Sequence, residues 1–310
     1  MYQKAYGIIE TLAPVHVGAS AGEENGNLNL IFRDQFTQTG IINGSSIRGR
    51  LRADMRQYRK YLEKQGKTIP PEQNEEFWYG QKAELGQPDS TTEAVIKLEH
   101  ASIVWLPVFC PGQPIVWVSC PSLLKRYNRI AGLNKVNIHL LKYKASQKLW
   151  NSALKSTSES SKFKNKKFLF FNFGFLELQE LNCQEKEDLL ALFPLGEELP
   201  AVIVDDNDMP MIHDMALYRQ SRVALDDDMK KAKEGHFFNI EALPEGTILA
   251  FPIAIKPHDK NWNWKPIKGE LNGEIYLGGL ESIGFGNCHL TIKHHPENKL
   301  AQQSEKQGQE

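Results

Sequence analysis

Apolar and polar positions along the chain switch between strand-like and helix-like spacing without a regular strand–helix–strand repeat. Extended apolar runs predict a strand at residues 2–10, a hairpin within residues 94–120 and a strand or strand pair within residues 167–180. Most neighbouring runs look like hairpins, and a short turn is the connection that antiparallel strands use. The pattern therefore predicts an α+β fold with an antiparallel sheet.

One long amphipathic helix is predicted from about Ile47 to Lys64, with Ser45 or Ser46 as its N-cap and Gly66 just beyond its end. Its apolar residues recur at helical spacing: Ile47, Leu51, Met55, Tyr58 and Leu62. Four of its arginines share a second stripe: Arg48, Arg52, Arg56 and Arg59. The helix thus combines an apolar stripe with a basic one.

Shorter elements complete the predicted fold. Further helices are predicted at residues 74–80, 121–132 and 183–193, and a strand, an acidic loop and a helix start at residues 199–215. Residues 221–255 predict two strands joined by a long charged connection. Residues 273–294 predict a helix or turn, a glycine loop and a final strand.

Length and composition fit one globular domain with a sizeable core. The chain has 310 residues, of which 41% are hydrophobic and 24% are charged. We expect a single domain over residues 1–296 and a polar tail at residues 297–310. Residues from about 142 to 167 are rich in serine and lysine and weakly periodic, which predicts a mobile polar insertion.

Cysteine usage and hydropathy indicate the compartment. The four cysteines are scattered and form no CxxC pair: Cys110, Cys120, Cys183 and Cys288. A zinc site or a disulfide framework is therefore not expected, and a reducing cytoplasm fits best. The first residues show no signal-peptide pattern, and no apolar run approaches the roughly 18 residues of a membrane span. We expect a soluble cytoplasmic protein without a membrane partner.

Charge is balanced overall but segregated along the chain. The formal net charge is −1 and the isoelectric point about 6.8, so affinity for a nucleic acid would have to come from a local basic surface. The arginine stripe provides one, and it begins within the small-residue turn INGSSIRG of residues 42–49. A helix start with guanidinium groups suits a phosphate backbone, although a solvated basic face has the same pattern.

A second candidate is the glycine-rich loop of residues 278–286. It precedes a predicted strand rather than a helix, so it is not a dinucleotide-binding fingerprint. Its glycines indicate either tight internal packing or close approach to a sugar–phosphate backbone. His16 lies in another glycine-flanked loop, where a structural role and an RNA contact both remain open.

Other chemistry-bearing residues give weaker signals. The acidic group at residues 205–208 lacks calcium-loop spacing, so a solvated loop is the expected alternative to a metal site. The acidic residues 226–228 predict the charged tip of a hairpin rather than a site. Trp262 and Trp264 could stack on bases but lie outside an RNA-binding aromatic strand pattern. Neither a GxSxG motif nor a paired cysteine nucleophile occurs.

Four motifs, taken in order, resemble the RAMP superfamily of CRISPR proteins, and within it the backbone subunit of type III-B (Cmr) effector complexes. The motifs are ETLAPVHVGA (10–19), IFRDQFTQTGIINGSSIRGRLR (31–52), FNIEALPEGTILAFPI (238–253) and LGGLESIGFG (277–286). The resemblance implies a modified ferredoxin-like (RRM-like) core with several insertions, including a thumb hairpin at about residues 221–238. It also implies a ribonucleoprotein of antiviral defence in which copies of the subunit stack along the CRISPR RNA.

The resemblance also implies which residues contact RNA. The turn and helix start would hold the guide backbone, with His16, Arg33 and the glycine loop beside them. The residues implied are His16, Arg33, Ser45, Ser46, Arg48, Arg50, Arg52, Gly278, Gly279, Gly284 and Gly286. The implied partners are CRISPR RNA, complementary target RNA, further copies of the chain and other subunits of the complex.

The sequence departs from the family where target RNA would be cut. The resemblance implies that active members cleave target RNA with an aspartate that precedes an Arg-Asp or Arg-Glu pair. The equivalent position here is Leu28, flanked by Asn27 and Asn29. Leucine can neither bind a cation nor orient an attacking hydroxyl. We therefore expect binding that needs no cofactor and target cleavage that is weakened or absent.

Two enzymatic alternatives remain open. The chain could be an active, metal-dependent endoribonuclease of the same family that uses Glu23, Glu24 or another residue. It could instead be a RAMP ribonuclease that processes guide RNA, which cleavage of unprocessed repeat RNA would reveal. A divalent metal is expected as a cofactor only if a ribonuclease reading holds.

Overall fold

The structure is a computed structural model, and it describes residues 2–18, 28–81, 91–133, 136–156, 164–171, 174–225, 232–258, 260 and 263–296. The strands in these residues are β1 (Gln3–Thr11), β2 (Leu28–Asn29), β3 (Ile41–Ile42), β4 (Ile96–Leu98), β5 (Ala101–Cys110), β6 (Gln113–Ser119), β7 (Lys167–Phe171), β8 (Gly174–Leu178), β9 (Ala201–Ile203), β10 (Tyr218–Leu225), β11 (Ala232–Ala242), β12 (Ile248–Ile255), β13 (Asn272–Tyr276) and β14 (Asn287–His294). The α-helices are α1 (Gly44–Lys64), α2 (Glu75–Tyr79), α3 (Pro121–Ala131), α4 (Gln147–Ser152), α5 (Cys183–Ala191) and α6 (Met209–Ala216). This mixture confirms the predicted α+β class.

One large sheet organises the molecule. Its strands run in the order β13-β14-β1-β12-β5-β6-β9, with β3 added on β5 and β4 on β12. The N-terminal strand β1 lies inside this sheet, because it pairs antiparallel with both β12 and β14. Within the described residues the sheet is antiparallel except for the pairing of β6 with β9. The antiparallel sheet predicted from the pattern is therefore present.

Helices cover both faces of this sheet. Ile8 and Ile9 are adjacent in β1 and are buried in different clusters, because neighbouring strand residues point to opposite faces. The cluster around Ile9 includes Ile47, Leu51 and Met55 of α1, whereas the cluster around Ile8 includes residues of α3 and α5. Helix α1 thus buries its apolar residues on one face of the sheet.

The long helix begins earlier than predicted. Its N-cap is Asn43 rather than Ser45 or Ser46, and the Asn43 side chain makes no capping hydrogen bond. A Cβ at Gly44 would lie 2.7 Å from the carbonyl oxygen of Leu98, so only glycine lets the first turn pack this closely on β4. Ser45 and Ser46 consequently lie inside the first turn.

The hairpin β10–β11 forms a small second sheet with β2, which pairs parallel to β11. It corresponds to the predicted thumb, but the strands run from Tyr218 to Leu225 and from Ala232 to Ala242. Residues 226–231, which include the predicted acidic tip at 226–228, lie outside the described residues. The prediction of two strands over 221–255 is wrong, because a turn at residues 244–247 separates β11 from β12 and makes three.

The segment predicted as a mobile insertion is partly packed against the fold. Residues 142–156 hydrogen-bond to β9, with the amide of Tyr143 2.7 Å from the carbonyl of Ile203 and that of Ser146 2.8 Å from Ala201. Lys142 also forms an ion pair with Asp205. These long-range partners are invisible in a polar, weakly periodic sequence, which is why the segment resembled an insertion. Residues 157–163 and the predicted tail at 297–310 are outside the described residues.

Two further expectations need correction. Residues 272–276 form strand β13 at the edge of the large sheet, not a helix or turn, because β14 supplies its backbone partners. Tyr58 belongs to the predicted apolar stripe of α1, yet it is absent from the helix's buried set of Ile47, Leu51, Met55 and Leu62. Across the described residues, no helix is both long and apolar enough to cross a bilayer.

Candidate nucleic-acid interface

The first turns of α1 line a cleft of about 420 Å³. Ser45, Ser46 and Arg50 come from the helix, and Gly278 and Gly279 from the glycine loop. The loop after β1 closes a third side through Val17 and Gly18. Five of the residues implied by the family resemblance are thus brought into one cleft, although more than 220 positions separate Arg50 from the glycine loop.

The helix start in this cleft favours an anion. No acidic side chain occupies the first turn of α1, and its N-cap side chain makes no hydrogen bond to the helix. The amides at the start of a helix of 21 residues carry a partial positive charge that a phosphate can neutralise. Gly49, one turn further along, faces open space, so the cleft is wide at this point.

The glycine loop is anchored by backbone hydrogen bonds to the segment after β1. The amide of Gly279 donates to the carbonyl of His16 over 3.0 Å, and the amide of Gly286 donates to that of Pro14 over 2.9 Å. Gly278 and Gly286 have φ angles of 85° and 88°, and a Cβ at either would overlap a carbonyl oxygen of the chain itself. These two glycines therefore permit internal packing.

Gly279 and Gly284 behave differently from their neighbours. A Cβ on either would meet no atom within 4 Å. The loop therefore contains glycines of two kinds. Gly278 and Gly286 hold the loop in shape, and Gly279 and Gly284 leave its surface open.

Arg50 links the cleft to the glycine loop. Its Nε donates to Oδ2 of Asp54 over 3.0 Å, and its Nη1 donates to Oε1 of Glu281 over 3.1 Å. Glu281 belongs to the glycine loop and is exposed, whereas burial raises the pKa of the Asp54 carboxyl. The guanidinium is therefore held at the mouth of the cleft by one partly buried and one exposed carboxylate.

The arginines of the predicted stripe do not line the cleft, and two of them contact α2 instead. Arg48 donates to the carbonyl oxygen of Tyr79 in α2. Arg59 pairs with the buried Glu75, also in α2, over 3.2 Å. Nε of Arg52 is buried and, among the described residues, has no hydrogen-bond partner. Arg48 and Arg59 thus fasten α2 to α1.

His16 and Arg33 belong to a partly buried polar network beside the cleft, in which Glu241 is the buried carboxylate. The ring nitrogen Nδ1 of His16 lies 2.6 Å from the carbonyl oxygen of Glu241, and the ring is 9% exposed. Arg33 pairs with Asp214 over 2.6 Å and with the Glu241 carboxylate over 3.3 Å, and Arg219 reaches the same carboxylate over 3.1 Å. The network joins β11, α6 and the segment after β1.

His213 completes the surroundings of this network. Its Nε2 accepts a hydrogen bond from the amide of Gly40 over 2.9 Å. Burial, aided by the charge of Arg33, lowers the pKa of His213 to about 4. Sequence reasoning missed His213, Asp214, Arg219 and Glu241. The available signal was Glu241 itself, a lone carboxylate in the apolar run NIEAL.

The position of the expected catalytic aspartate lies in β2. Leu28 pairs with Asn239 of β11 and Asn29 pairs with Ile240, whereas Glu23, Glu24 and Asn27 are outside the described residues. The next carboxylate along the chain, Asp34, accepts hydrogen bonds from the amides of Thr37 and Phe36. Although partial burial opposes the shift, those bonds hold the pKa of Asp34 below its ordinary value.

The remaining candidates have structural partners. Asp205 pairs with Lys142, and Asp206 accepts a hydrogen bond from the amide of Ser122 over 2.9 Å. Trp264 is 5% exposed and donates to the Tyr79 hydroxyl over 3.2 Å, whereas Trp262 is outside the described residues. In the part of the chain that the structure describes, no group of three His, Cys, Asp or Glu side chains is arranged to hold a metal ion.

Comparison with sequence models of known families identifies the class of protein. The sequence model of the RAMP superfamily matches residues 8–289, and the chain belongs to this superfamily. No curated protein matches the sequence.

Several solved structures have a fold similar to that of this chain. The chain is similar to a subunit in "Cryo-EM structure of the Type III-B Cmr-beta bound to cognate target RNA", with 17% identity, a TM-score of 0.64, and coverage of 93% of this chain and 96% of that one. "Crystal structure of Cmr4" gives 18% identity, a TM-score of 0.62, and coverage of 94% and 100%. "Crystal structure of oligomeric Cmr4 from Pyrococcus furiosus" gives 19%, 0.60, and coverage of 94% and 98%. The chain thus has the fold of Cmr4.

Proposed function

We propose that this chain is a guide-RNA-binding backbone subunit of a type III-B CRISPR interference complex. It oligomerises along the CRISPR RNA and presents that RNA for pairing with target RNA in the cytoplasm. The observation that carries the proposal is the cleft in which the open start of α1, Arg50 and the open part of the glycine loop converge. Helix-start amides and a guanidinium group are the donors that an RNA phosphate requires.

The partners of related structures support the same assignment. One similar subunit was determined in a complex bound to cognate target RNA, and another as oligomeric Cmr4. We therefore propose that this chain also contacts CRISPR RNA, target RNA, further copies of itself and other subunits.

We further propose that target cleavage has been lost. Leu28 has no group that could orient a ribose hydroxyl or bind a metal ion. The carboxylates of the neighbouring network, Asp214 and Glu241, are neutralised by Arg33 and Arg219. Asp34 is committed to its own turn.

RNA binding is tested with the full chain and a fluorescein-labelled single-stranded RNA. Arg50→Ala should weaken binding about tenfold, because a charge-assisted hydrogen bond contributes about 1.5–3 kcal/mol. Lys125→Ala is the matched control: it removes one exposed positive charge from α3, on the opposite face of the sheet. Affinity should also fall steeply with salt. Equal binding by both variants, or binding indifferent to salt, would contradict the proposal.

Cleavage is tested with the assembled complex, labelled target RNA and Mg²⁺. We expect target binding without cuts at regular intervals. A ladder of products that disappears in the Glu23→Ala/Glu24→Ala variant would establish the active endoribonuclease instead. Cutting of unprocessed repeat RNA by the isolated chain would identify a guide-processing ribonuclease.

A further inference from the structure

A larger groove of about 710 Å³ continues from the cleft along α1. It lies between α1 and β13, and Arg50 and Tyr276 line both the groove and the cleft. Tyr58 is eight residues beyond Arg50, a distance of about 12 Å along a helix. A chain held in the cleft can therefore enter the groove within a few nucleotides.

Three of the residues that line this groove are tyrosines. Tyr58 and Tyr61 stand one turn apart on α1, with ring centroids 6.5 Å apart and ring planes inclined by 17°. Tyr276 lies opposite them at the end of β13. Tyr61 is 53% and Tyr276 39% exposed, so neither ring is used to fill the core. Exposed aromatic rings around a groove are the usual surface on which bases stack.

The start of α1 distinguishes the cleft from the groove, whose own charges are balanced. Arg50 and Lys268 are matched by Asp54 and Glu274, and Gln57 adds an uncharged amide. Balanced charge gives no net attraction for a phosphate, whereas the start of α1 in the cleft does. A neutral planar group with polar edges suits the groove better, because it can stack on tyrosine and form hydrogen bonds with the amide and carboxylates.

We propose that the groove is a base-stacking subsite for an unpaired nucleobase of the RNA whose backbone occupies the cleft. The base stacks on Tyr61 and Tyr276, and the groove's polar side chains meet its edge. This inference rests on the proposed RNA-binding function and adds a separate contact to it. Continuity with the cleft and balanced charge favour a base over a segment of a second copy.

The test compares tyrosine variants of the full chain in binding to a single-stranded RNA that carries 2-aminopurine. Tyr61→Ala/Tyr276→Ala should weaken binding about tenfold and abolish quenching of the probe, because each stacked base contributes measurably to affinity. Tyr61→Phe/Tyr276→Phe should retain both properties, since phenylalanine keeps the ring. Tyr2→Ala is the matched control, because it removes another exposed tyrosine, 45% exposed, from the N-terminal end of β1.

Each outcome decides between the two proposals. If the alanine pair binds and quenches like the unchanged chain while Arg50→Ala loses affinity, the subsite is refuted and the RNA-binding function stands. If neither variant alters binding, both proposals fail. If the alanine pair keeps RNA affinity but loses self-association in sedimentation, the groove takes a second copy and the subsite is refuted. Thermal melting of the phenylalanine pair and the alanine pair verifies folding.

Discussion

Glu281 occupies the position from which it can compete with RNA for Arg50. Its carboxylate lies 3.1 Å from the guanidinium and is 43% exposed. A phosphate entering the cleft must displace this carboxylate or approach beside it. Glu281→Gln removes the negative charge, keeps the length of the side chain and leaves an amide oxygen to accept a weaker hydrogen bond. The substitution should therefore tighten RNA binding.

The magnitude follows from two small electrostatic terms. An exposed ion pair contributes about 0.2–1 kcal/mol, which the phosphate no longer has to overcome. Repulsion between a carboxylate and a phosphate about 4 Å apart adds about 1 kcal/mol in bulk water, and physiological salt reduces it. The combined gain of about 1 kcal/mol corresponds to about fivefold tighter binding.

Fluorescence anisotropy with labelled single-stranded RNA at physiological salt measures this effect. Glu187→Gln is the matched control, since it makes the same change of net charge on exposed α5, across the sheet from α1. If Glu281→Gln binds no tighter than Glu187→Gln, Arg50 does not meet a phosphate in the way described. Weaker binding would show that Glu281 positions Arg50 rather than competing for it.

Two predictions concern stability. Gly278→Ala should lower the free energy of unfolding by more than about 2 kcal/mol, because its φ of 85° disfavours any side chain and the new Cβ would overlap the carbonyl of His16; thermal or urea unfolding measures it. The pKa of His213 is about 4 in the folded chain and about 6.5, its ordinary value, in the unfolded chain, so the unfolded chain binds more protons between these values. Stability should therefore fall by up to about 3 kcal/mol as the pH drops from 6.5 towards 4, and His213→Gln should flatten this part of the stability–pH curve measured in urea.

Matched variants check both stability predictions. Gly49→Ala places the same methyl group in open space within α1, so it should leave stability unchanged or raise it by about 0.5–1 kcal/mol. A Gly278→Ala variant as stable as Gly49→Ala would disprove the overlap. His139→Gln removes an exposed histidine. If it flattens the curve as much as His213→Gln, burial of His213 is not the cause.

Secondary-structure elements that depend on residues close together in the sequence were predictable. The spacing of apolar residues located α1, and Gly132 marked the end of α3, where it adopts φ 65°. The hairpin predicted within residues 94–120 is likewise present as the antiparallel pair β5 and β6. Boundaries failed where a distant partner set them. The start of α1 depends on how closely Gly44 packs on Leu98, and β13 is a strand because β14 lies beside it.

The candidate site shows the same division between local and distant causes. The small-residue turn before α1 and the glycine loop carry local signatures in backbone freedom and charge, and four ordered motifs linked them to one family. Which arginine lies at the cleft is not a local property. Arg48 is consumed by a carbonyl of α2, and only the folded chain shows Arg50 held beside the cleft.

The sequence by itself determined most of the elements, the family resemblance and the presence of leucine at position 28. Tertiary structure alone decided which residues form the cleft and the network beside it. Arg33 and Glu241 are separated by 208 positions, yet their side chains lie 3.3 Å apart. Periodicity and turn chemistry report on interactions over a few residues, whereas a binding surface is assembled from chain crossings that these local patterns do not record.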